Sequence, residues 1–240
     1  MKASNPPAGF FVTGTDTEVG KTLVSGALIL KLKRLGRNVA GFKPVVAGTY
    51  QDKDQHLVNE DLETLRLAAD TRLSSQALCP YILNTPAAPH LVAQAAGIDL
   101  DIKVIEAAYQ AVANQCDAVV VEGAGGFLVP LNDQTDLSEV AQLIGLPVIL
   151  VVGMRLGCIN HALLTYEAIK MRHLPIAGWV ANALEEEMSV LQENLLTLRK
   201  RIDAPYLGLI PSFPNGLRKP VNAPYSMEAL QFAAQHISLP

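Results

Sequence analysis

The chain is short of cysteine, of charge and of long apolar runs, and each shortage removes a class of protein. Its three cysteines, Cys79, Cys116 and Cys158, lie about forty residues apart. They offer neither the paired spacing of a zinc site nor the even count of a disulfide framework, and they read as buried or loop thiols of a reducing compartment. Charged residues make up 18% of the chain, with 19 Lys and Arg against 23 Asp and Glu and a net charge of -4. Scattered bases in an acidic chain do not form the stripe that neutralises a nucleic-acid backbone, so no nucleic-acid partner is expected. The most apolar run, Leu146 to Val152, is interrupted by Pro147 and too short to span a bilayer, and Met1-Lys2-Ala3-Ser4-Asn5-Pro6-Pro7 has no apolar signal core. No membrane partner and a cytoplasmic location are therefore expected.

What the sequence does have is a 50% apolar composition laid out as short β-branched runs alternating with helical stretches. Phe10-Phe11-Val12 runs into Gly14, 39–42 into Lys43, 118–121 into Glu122, 148–152 into Gly153, 176–181 into Asn182 and 206–210 into Pro211. Near-continuous runs of this kind suit strands covered on both faces. Helical patterns fill 21–35, 60–69, 102–114, 137–144, 160–172 and 187–202, with a short last helix near 227–236 after a Pro- and Gly-rich loop over 211–224. The alternation, unbroken by any shift in composition or by repeats, predicts one α/β domain over 1–240: a mostly parallel sheet flanked by helices on both faces. In such sheets ligands bind beyond the carboxyl ends of the strands, which singles out the residues that follow each run.

Other features read as structural. Glu185-Glu186-Glu187 and Arg199-Lys200-Arg201 flank the helix over 187–202, whose apolar stripe is Leu191, Leu195, Leu198 and Ile202, and complement its dipole. His56, His90, His161, His173 and His236 share no ligand spacing.

Gly14-Thr15-Asp16-Thr17-Glu18-Val19-Gly20-Lys21-Thr22 follows a strand and opens a helix. A glycine-rich turn there aims backbone N–H groups at phosphates, Lys21 reaches the β and γ oxygens, and the Thr22 hydroxyl suits Mg²⁺. Five residues, rather than the usual four, separate Gly14 from Gly20. Glu122 ends a strand beside this loop, where a nucleotide-bound Mg²⁺ gains a carboxylate, and Gly123, Ala124, Gly125 and Gly126 let backbone approach the ligand. Asp61 is a candidate second acid. Lys43, followed by Pro44, projects from the same sheet edge, and two lysines there suit an anionic reaction centre.

The phosphate loop, Lys43-Pro44-Val45 with Gly48-Thr49, Glu122-Gly123-Ala124-Gly125-Gly126, Gly157-Cys158-Ile159-Asn160-His161-Ala162-Leu163-Leu164-Thr165 and Gly208-Leu209-Ile210-Pro211 together resemble the dethiobiotin synthetase family, in order and over nearly the whole chain. The resemblance implies the P-loop NTPase class related to MinD and ParA ATPases. It also implies a homodimer that uses ATP and Mg²⁺ to join CO₂ to 7,8-diaminononanoate, giving dethiobiotin, ADP and phosphate by way of a carbamate and its phosphorylated anhydride.

Carried over by matching position, Glu18, Val19, Gly20, Lys21, Thr22 and Leu23 hold the phosphates, and Thr22, Asp61 and Glu122 hold Mg²⁺. Gly123, Ala124 and Gly125 line the nucleotide site, Asn182 with Ala183 reads adenine, and Pro211, Ser212 and Phe213 line the base pocket. Lys43 and Lys21 are catalytic. Thr17, Lys43, Ala47, Thr49 and Pro86 face the diamine, with Ala47 standing where some relatives have Ser. Gly157, Cys158, Ile159 and Asn160 of a partner subunit take the substrate's distant carboxylate at a helix start. A MinD- or ParA-like switch would carry a second lysine early in the phosphate loop; residues 14–19 contain none.

Overall fold

The computed structural model describes residues 8–214 and 216–240. The leader reading of residues 1–7, the first seven residues of the proposed domain and Asn215 of the 211–224 loop lie outside the described residues. In chain order the elements are β1 (Ala8–Gly14), α1 (Lys21–Arg34), β2 (Val39–Phe42), β3 (Val45–Ala47), β4 (Tyr50–Gln51), β5 (Leu57–Val58), α2 (Glu60–Ala69), α3 (Ser75–Leu78), β6 (Tyr81–Leu83) and α4 (Pro89–Ala95). There follow α5 (Ile102–Ala113), β7 (Ala118–Glu122), α6 (Leu137–Ile144), β8 (Val148–Met154), α7 (Cys158–Met171), β9 (Ile176–Ala183), α8 (Leu191–Arg201), β10 (Tyr206–Ile210) and α9 (Met227–His236).

Six strands form one sheet in the order β10-β9-β8-β1-β7-β2, and each pairing is parallel. Parallel neighbours need crossovers, and the intervening helices cover both faces of the sheet. Alternation along the strands divides the core accordingly. Phe11, Val119, Val121, Leu150, Val152 and Trp179 pack on one face with Tyr109, Val140, Ile169 and Leu198. Val12, Val120, Ile149, Val151 and Val180 pack on the other with Leu23, Leu28, Leu65 and Leu230. The strands are therefore apolar on both sides, which is why they read as unbroken runs.

β2, α2, α6, β10 and α9 span the residues expected of them. β7, β8 and β9 run one or two residues further, so Glu122, Gly153 and Asn182 belong to strand ends instead of following them. α7 starts at Cys158, ahead of the expected 160, because Gly157 adopts φ 93° and lets the helix begin at once.

The helix expected over 187–202 is Leu191–Arg201, preceded by Val190 at φ 52°. Glu185, Glu186 and Glu187 lie before it and are not its first turn; Glu193 is. The basic last turn and the Leu195, Leu198, Ile202 stripe are as expected. Two small sheets, β3 with β6 and β4 with β5, and the helices α3 and α4 are additions to the sequence-based outline.

Candidate active site

β1 lies between β7 and β8, so its carboxyl end opens at the middle of the sheet, where the chain turns into α1. Gly20 starts α1 with φ 95° and no side-chain cap. A Cβ there would stand 2.2 Å from Asn182 Nδ2, so both the dihedral and the space demand glycine. Asn182 Nδ2 donates to the Val19 carbonyl at 2.9 Å, tying β9 to the loop and fixing the orientation of its own amide. Lys21 Nζ donates to the Asp16 carbonyl at 2.8 Å and so folds back over the loop. Burial, with the ammonium of Lys43, pushes Lys21 down to about 8.

Beside the loop, four side chains from four elements or their ends converge. Lys43 Nζ lies 2.8 Å from Asp61 Oδ2 and 2.6 Å from Glu122 Oε1, and donates to the Gly123 carbonyl at 3.3 Å. Thr22 Oγ1 lies 2.7 Å from Asp61 Oδ1 and 2.8 Å from Glu122 Oε1, with one hydroxyl proton to share between them. The Lys43 and Glu122 side chains are 3% and 0% exposed, so their attraction is barely screened.

Burial alone would lower the Lys43 ammonium, but Asp61 and Glu122 outweigh it and hold its pKa above the ordinary lysine value. Asp61 sits below the usual carboxylate range because Lys43 more than offsets its burial. Glu122 is pushed up by burial, which outweighs the pull of Lys43. Glu122 Oε2 is buried and has no hydrogen-bond partner among the described residues.

α2 positions Asp61. Asn59 caps the helix by accepting from the backbone N–H groups of Asp61 and Leu62, and Asn59 Nδ2 donates to the Gly48 carbonyl at 2.7 Å. One residue thus aims Asp61 and anchors the turn after β3. That turn carries Ala47 and Thr49 beside the loop after β6: a Gly48 Cβ would stand 3.1 Å from Pro86, and Thr49 Oγ1 donates to Asn84 Oδ1 at 3.2 Å. Ala47, Thr49 and Pro86 therefore gather on one side of the site.

A cleft of about 270 Å³ beyond the loop is lined by Glu18, Gly20, Leu23, Asn182, Ala183, Pro211, Ser212 and Phe213, together with Leu184, Arg218, Lys219 and Tyr225. The side chains of Val19 and Leu23 are buried, which leaves only their backbone N–H groups to meet a ligand. A larger cleft of about 340 Å³, at His90, Asp99, Leu131 and Asp133, shares no residue with the phosphate loop. The Gly157 turn reaches the loop through an ion pair of Arg155 with Asp16, and Cys158 N–H donates to the Arg155 carbonyl at 3.0 Å. Cys158 is 2% exposed, which leaves only its backbone for a ligand, whereas Asn160 is exposed.

Asn59, Arg155, Arg218, Lys219 and Tyr225 were not among the sequence candidates. Only Asn59 carried a local signal, as an N-cap residue before the acidic pair Glu60-Asp61.

Residues 8–217 match the family described as an AAA domain. The chain is 52% identical over 204 residues to the ATP-dependent dethiobiotin synthetase BioD of Ralstonia nicotianae, covering 85% of this chain and 89% of that protein. This chain belongs to the dethiobiotin synthetase family. It is also 50% identical over 205 residues to the protein of that name from Aromatoleum aromaticum, covering 85% and 91%.

Among solved structures, the fold of this dethiobiotin synthetase family member is similar to that of the Pyrococcus furiosus cell division ATPase MinD, with TM-score 0.55, 16% identity and coverage of 96% and 98%. The Mg-ADP complex of MinD from Pyrococcus horikoshii gives TM-score 0.53, 18% identity and coverage of 86% and 82%. These likenesses show a shared α/β fold. Among the described residues no helix is long and apolar enough to cross a membrane.

Proposed function

We propose that this chain carries out the reaction of its family, the ATP-driven closure of a ureido ring from 7,8-diaminononanoate and CO₂. The observation that carries the residue assignment is the buried cluster of Lys43, Asp61, Glu122 and Thr22 at the mouth of the phosphate loop. One amine of the substrate attacks CO₂ and loses a proton, giving a carbamate. A carbamate oxygen then takes the γ-phosphoryl group from ATP, and the second amine attacks the anhydride carbon, expelling phosphate and closing the five-membered ring.

Two anions must meet in the phosphoryl step, and the ammonium groups of Lys43 and Lys21 supply the compensating charge. Lys43 stays protonated because its two carboxylates hold its pKa up, and it reaches a substrate oxygen only by loosening one of them. Lys43 is thus the catalytic lysine of this reading. Lys21, released from the Asp16 carbonyl, serves the phosphates, alongside backbone N–H groups of Glu18, Val19, Gly20, Thr22 and Leu23.

The donor set fits magnesium: a hydroxyl and two carboxylates, all oxygen, with Glu122 Oε2 buried and without a partner among the described residues. When bound with the triphosphate, magnesium neutralises charge shared between the β- and γ-phosphates. Thr22, Asp61 and Glu122 would hold it.

Asn182 recognises adenine through Oδ1, since Nδ2 is committed to Val19, and an acceptor there suits an amino group better than the carbonyl of guanine. Ala183, Pro211, Ser212 and Phe213, which line the cleft, take the base, and Gly123, Ala124 and Gly125 face the loop outside that cleft, where a Gly125 Cβ would stand 3.7 Å from Thr17 Oγ1. Thr17, Ala47, Thr49 and Pro86 border the diamine.

Gly157, Cys158, Ile159 and Asn160 would serve the partner subunit's site in a homodimer. Supporting this, Leu156 beside the turn is 99% exposed and Leu164 in α7 is 63% exposed, apolar side chains open to a second copy. The whole chain acts as one catalytic domain in the cytoplasm.

The test is carbon NMR of the protein with MgATP, the diamine and ¹³C-bicarbonate. A ureido carbonyl that requires every component and matches phosphate release is expected. Equal ATP hydrolysis without the diamine, and no ureido signal, would overturn the proposal.

A further inference from the structure

The outer wall of the nucleotide cleft is built by a segment that no motif singles out, residues 217–225, carrying Arg218, Lys219 and Tyr225. Its inner wall is the phosphate loop and α1. Arg218 pairs with Glu186 ahead of α8, and two further contacts fasten the outer wall to the first turns of α2. Lys219 Nζ donates to Glu60 Oε2 at 2.6 Å, and the Tyr225 N–H donates to Thr64 Oγ1 at 3.0 Å. Thr64 Oγ1 in turn donates to the Glu60 carbonyl at 2.7 Å, closing a small network on one stretch of helix.

The residue after Glu60 is Asp61, whose carboxylate is shared by Lys43 and Thr22. The Tyr225 hydroxyl stands in the field of the same acids, pushed up to about 12 by burial and then by Asp61 and Glu60. Within the wall, the Tyr225 ring lies 6.1 Å from that of Phe213, and Lys219 Nζ lies 5.8 Å from the Tyr225 ring centroid. The base-lining aromatics, the Lys219–Glu60 pair and Asp61 are thus in mechanical series.

Resting on the reading of this cleft as the ATP site, we propose that Lys219 is a positioning residue. Its ion pair with Glu60 latches the base-pocket wall to the start of α2, so that occupancy of the pocket by adenine and placement of Asp61 in the Lys43–Glu122 cluster are coupled. Both partners are partly exposed, 20% and 35% for the side chains. A pair of that exposure contributes little to fold stability, which makes it a contact that opens and closes without unfolding the helix. A base seated against Phe213 and Tyr225 holds the wall in, keeps the pair made, and thereby favours the aimed Asp61. By reciprocity, a metal held at Asp61 favours the closed wall.

The coupling predicts that the adenine moiety, and not the phosphates, senses Lys219. Calorimetric titration of wild type and Lys219→Met with MgATP and with magnesium tripolyphosphate, which has the phosphates and no base, separates the two. For Lys219→Met the MgATP dissociation constant should rise about threefold, the Mg²⁺ concentration that half-saturates the ATP complex should rise with it, and tripolyphosphate binding should be unchanged. Glu60→Gln should reproduce the pattern, and Lys219→Arg should restore most of the loss.

Equal losses for ATP and tripolyphosphate would make Lys219 a phosphate contact and overturn the latch. So would unchanged binding of both, or a rise for ATP with no change in the Mg²⁺ requirement. Failure of wild type to bind MgATP at all would instead remove the assignment of the cleft on which the latch rests.

Discussion

On the proposed assignment, the half of the site given to the phosphates and the half given to the diamine are built in opposite ways. Around Thr22, Lys43 and Glu122 the side chains are buried and paired to one another across the chain, a charged assembly that one subunit completes alone. Around Thr49, Pro86 and Asn160 the surface is open or half-open and has mostly local hydrogen bonds. The contrast follows from the chemistry each half performs. Stabilising charge at a transferring phosphoryl group requires dipoles and ions already in place in a dry site. Admitting a flexible diamine requires room, which a second subunit would wall in under the proposed homodimer.

The division is broken first at Lys43. Lys43→Ala should lower kcat by at least about 100-fold, on the scale of losing a transition-state electrostatic partner, while leaving MgATP binding largely intact. It should also cost stability of about 3–5 kcal/mol, because the buried Glu122 loses its partner. The double variant Lys43→Ala with Glu122→Gln should regain most of the melting temperature and none of the activity. Near-normal turnover by Lys43→Ala would end its catalytic assignment.

At the other half, Leu156→Glu places a charge on the most exposed leucine of the chain. Sedimentation should show monomers, and the diamine KM should rise at least about tenfold, while the MgATP dissociation constant holds. A matching rise for MgATP would mean that the two halves are not separable. Between these in location but smaller in effect, Asn182→Leu should cut the ATP-over-GTP preference about tenfold, the worth of roughly one hydrogen bond at the upper end of its range. Competition assays with the two nucleotides read it directly.

The smallest effect concerns protons. Lys21 is held down at about 8 by burial and by the Lys43 ammonium. A triphosphate favours its ammonium form, so binding takes up a proton above that pH. Affinity for MgATP should then fall as pH rises from about 8 to 9, by less than tenfold, and calorimetry in buffers of differing ionisation enthalpy should show the uptake. Proton release in that window would reverse the assignment.

How much of this was legible in sequence depended on distance along the chain. Strand and helix identity was readable because burial on both faces leaves unbroken apolar runs such as Ala118 to Val121, and boundaries drifted by a residue or two where glycine or a polar end residue obscured them. The helix placed at 187–202 starts at Leu191 because the acidic run invited an N-terminal reading, while Glu186 in fact pairs with Arg218. β3 and β6, three residues each, were too short for periodicity to register. Lys21 and Thr22 are legible from the glycine-rich turn that opens α1, and Lys43 and Glu122 because each follows or ends a strand. Lys219 carried no signal, since its partner Glu60 lies 159 residues away and only tertiary structure joins them.

The strand order carries a consequence for how the molecule is made. β1, which ends in the phosphate loop, pairs with β7 and β8, so Phe11 finds its neighbours at Val121 and Val148. No hairpin in the main sheet closes locally, and such non-local pairing makes folding slow. On the ribosome the phosphate loop emerges early yet stays unframed until residues past 150 have been synthesised. Nucleotide is therefore predicted to act late, selecting the finished sheet instead of nucleating it, and amino-terminal fragments that stop before β8 should lack nucleotide affinity.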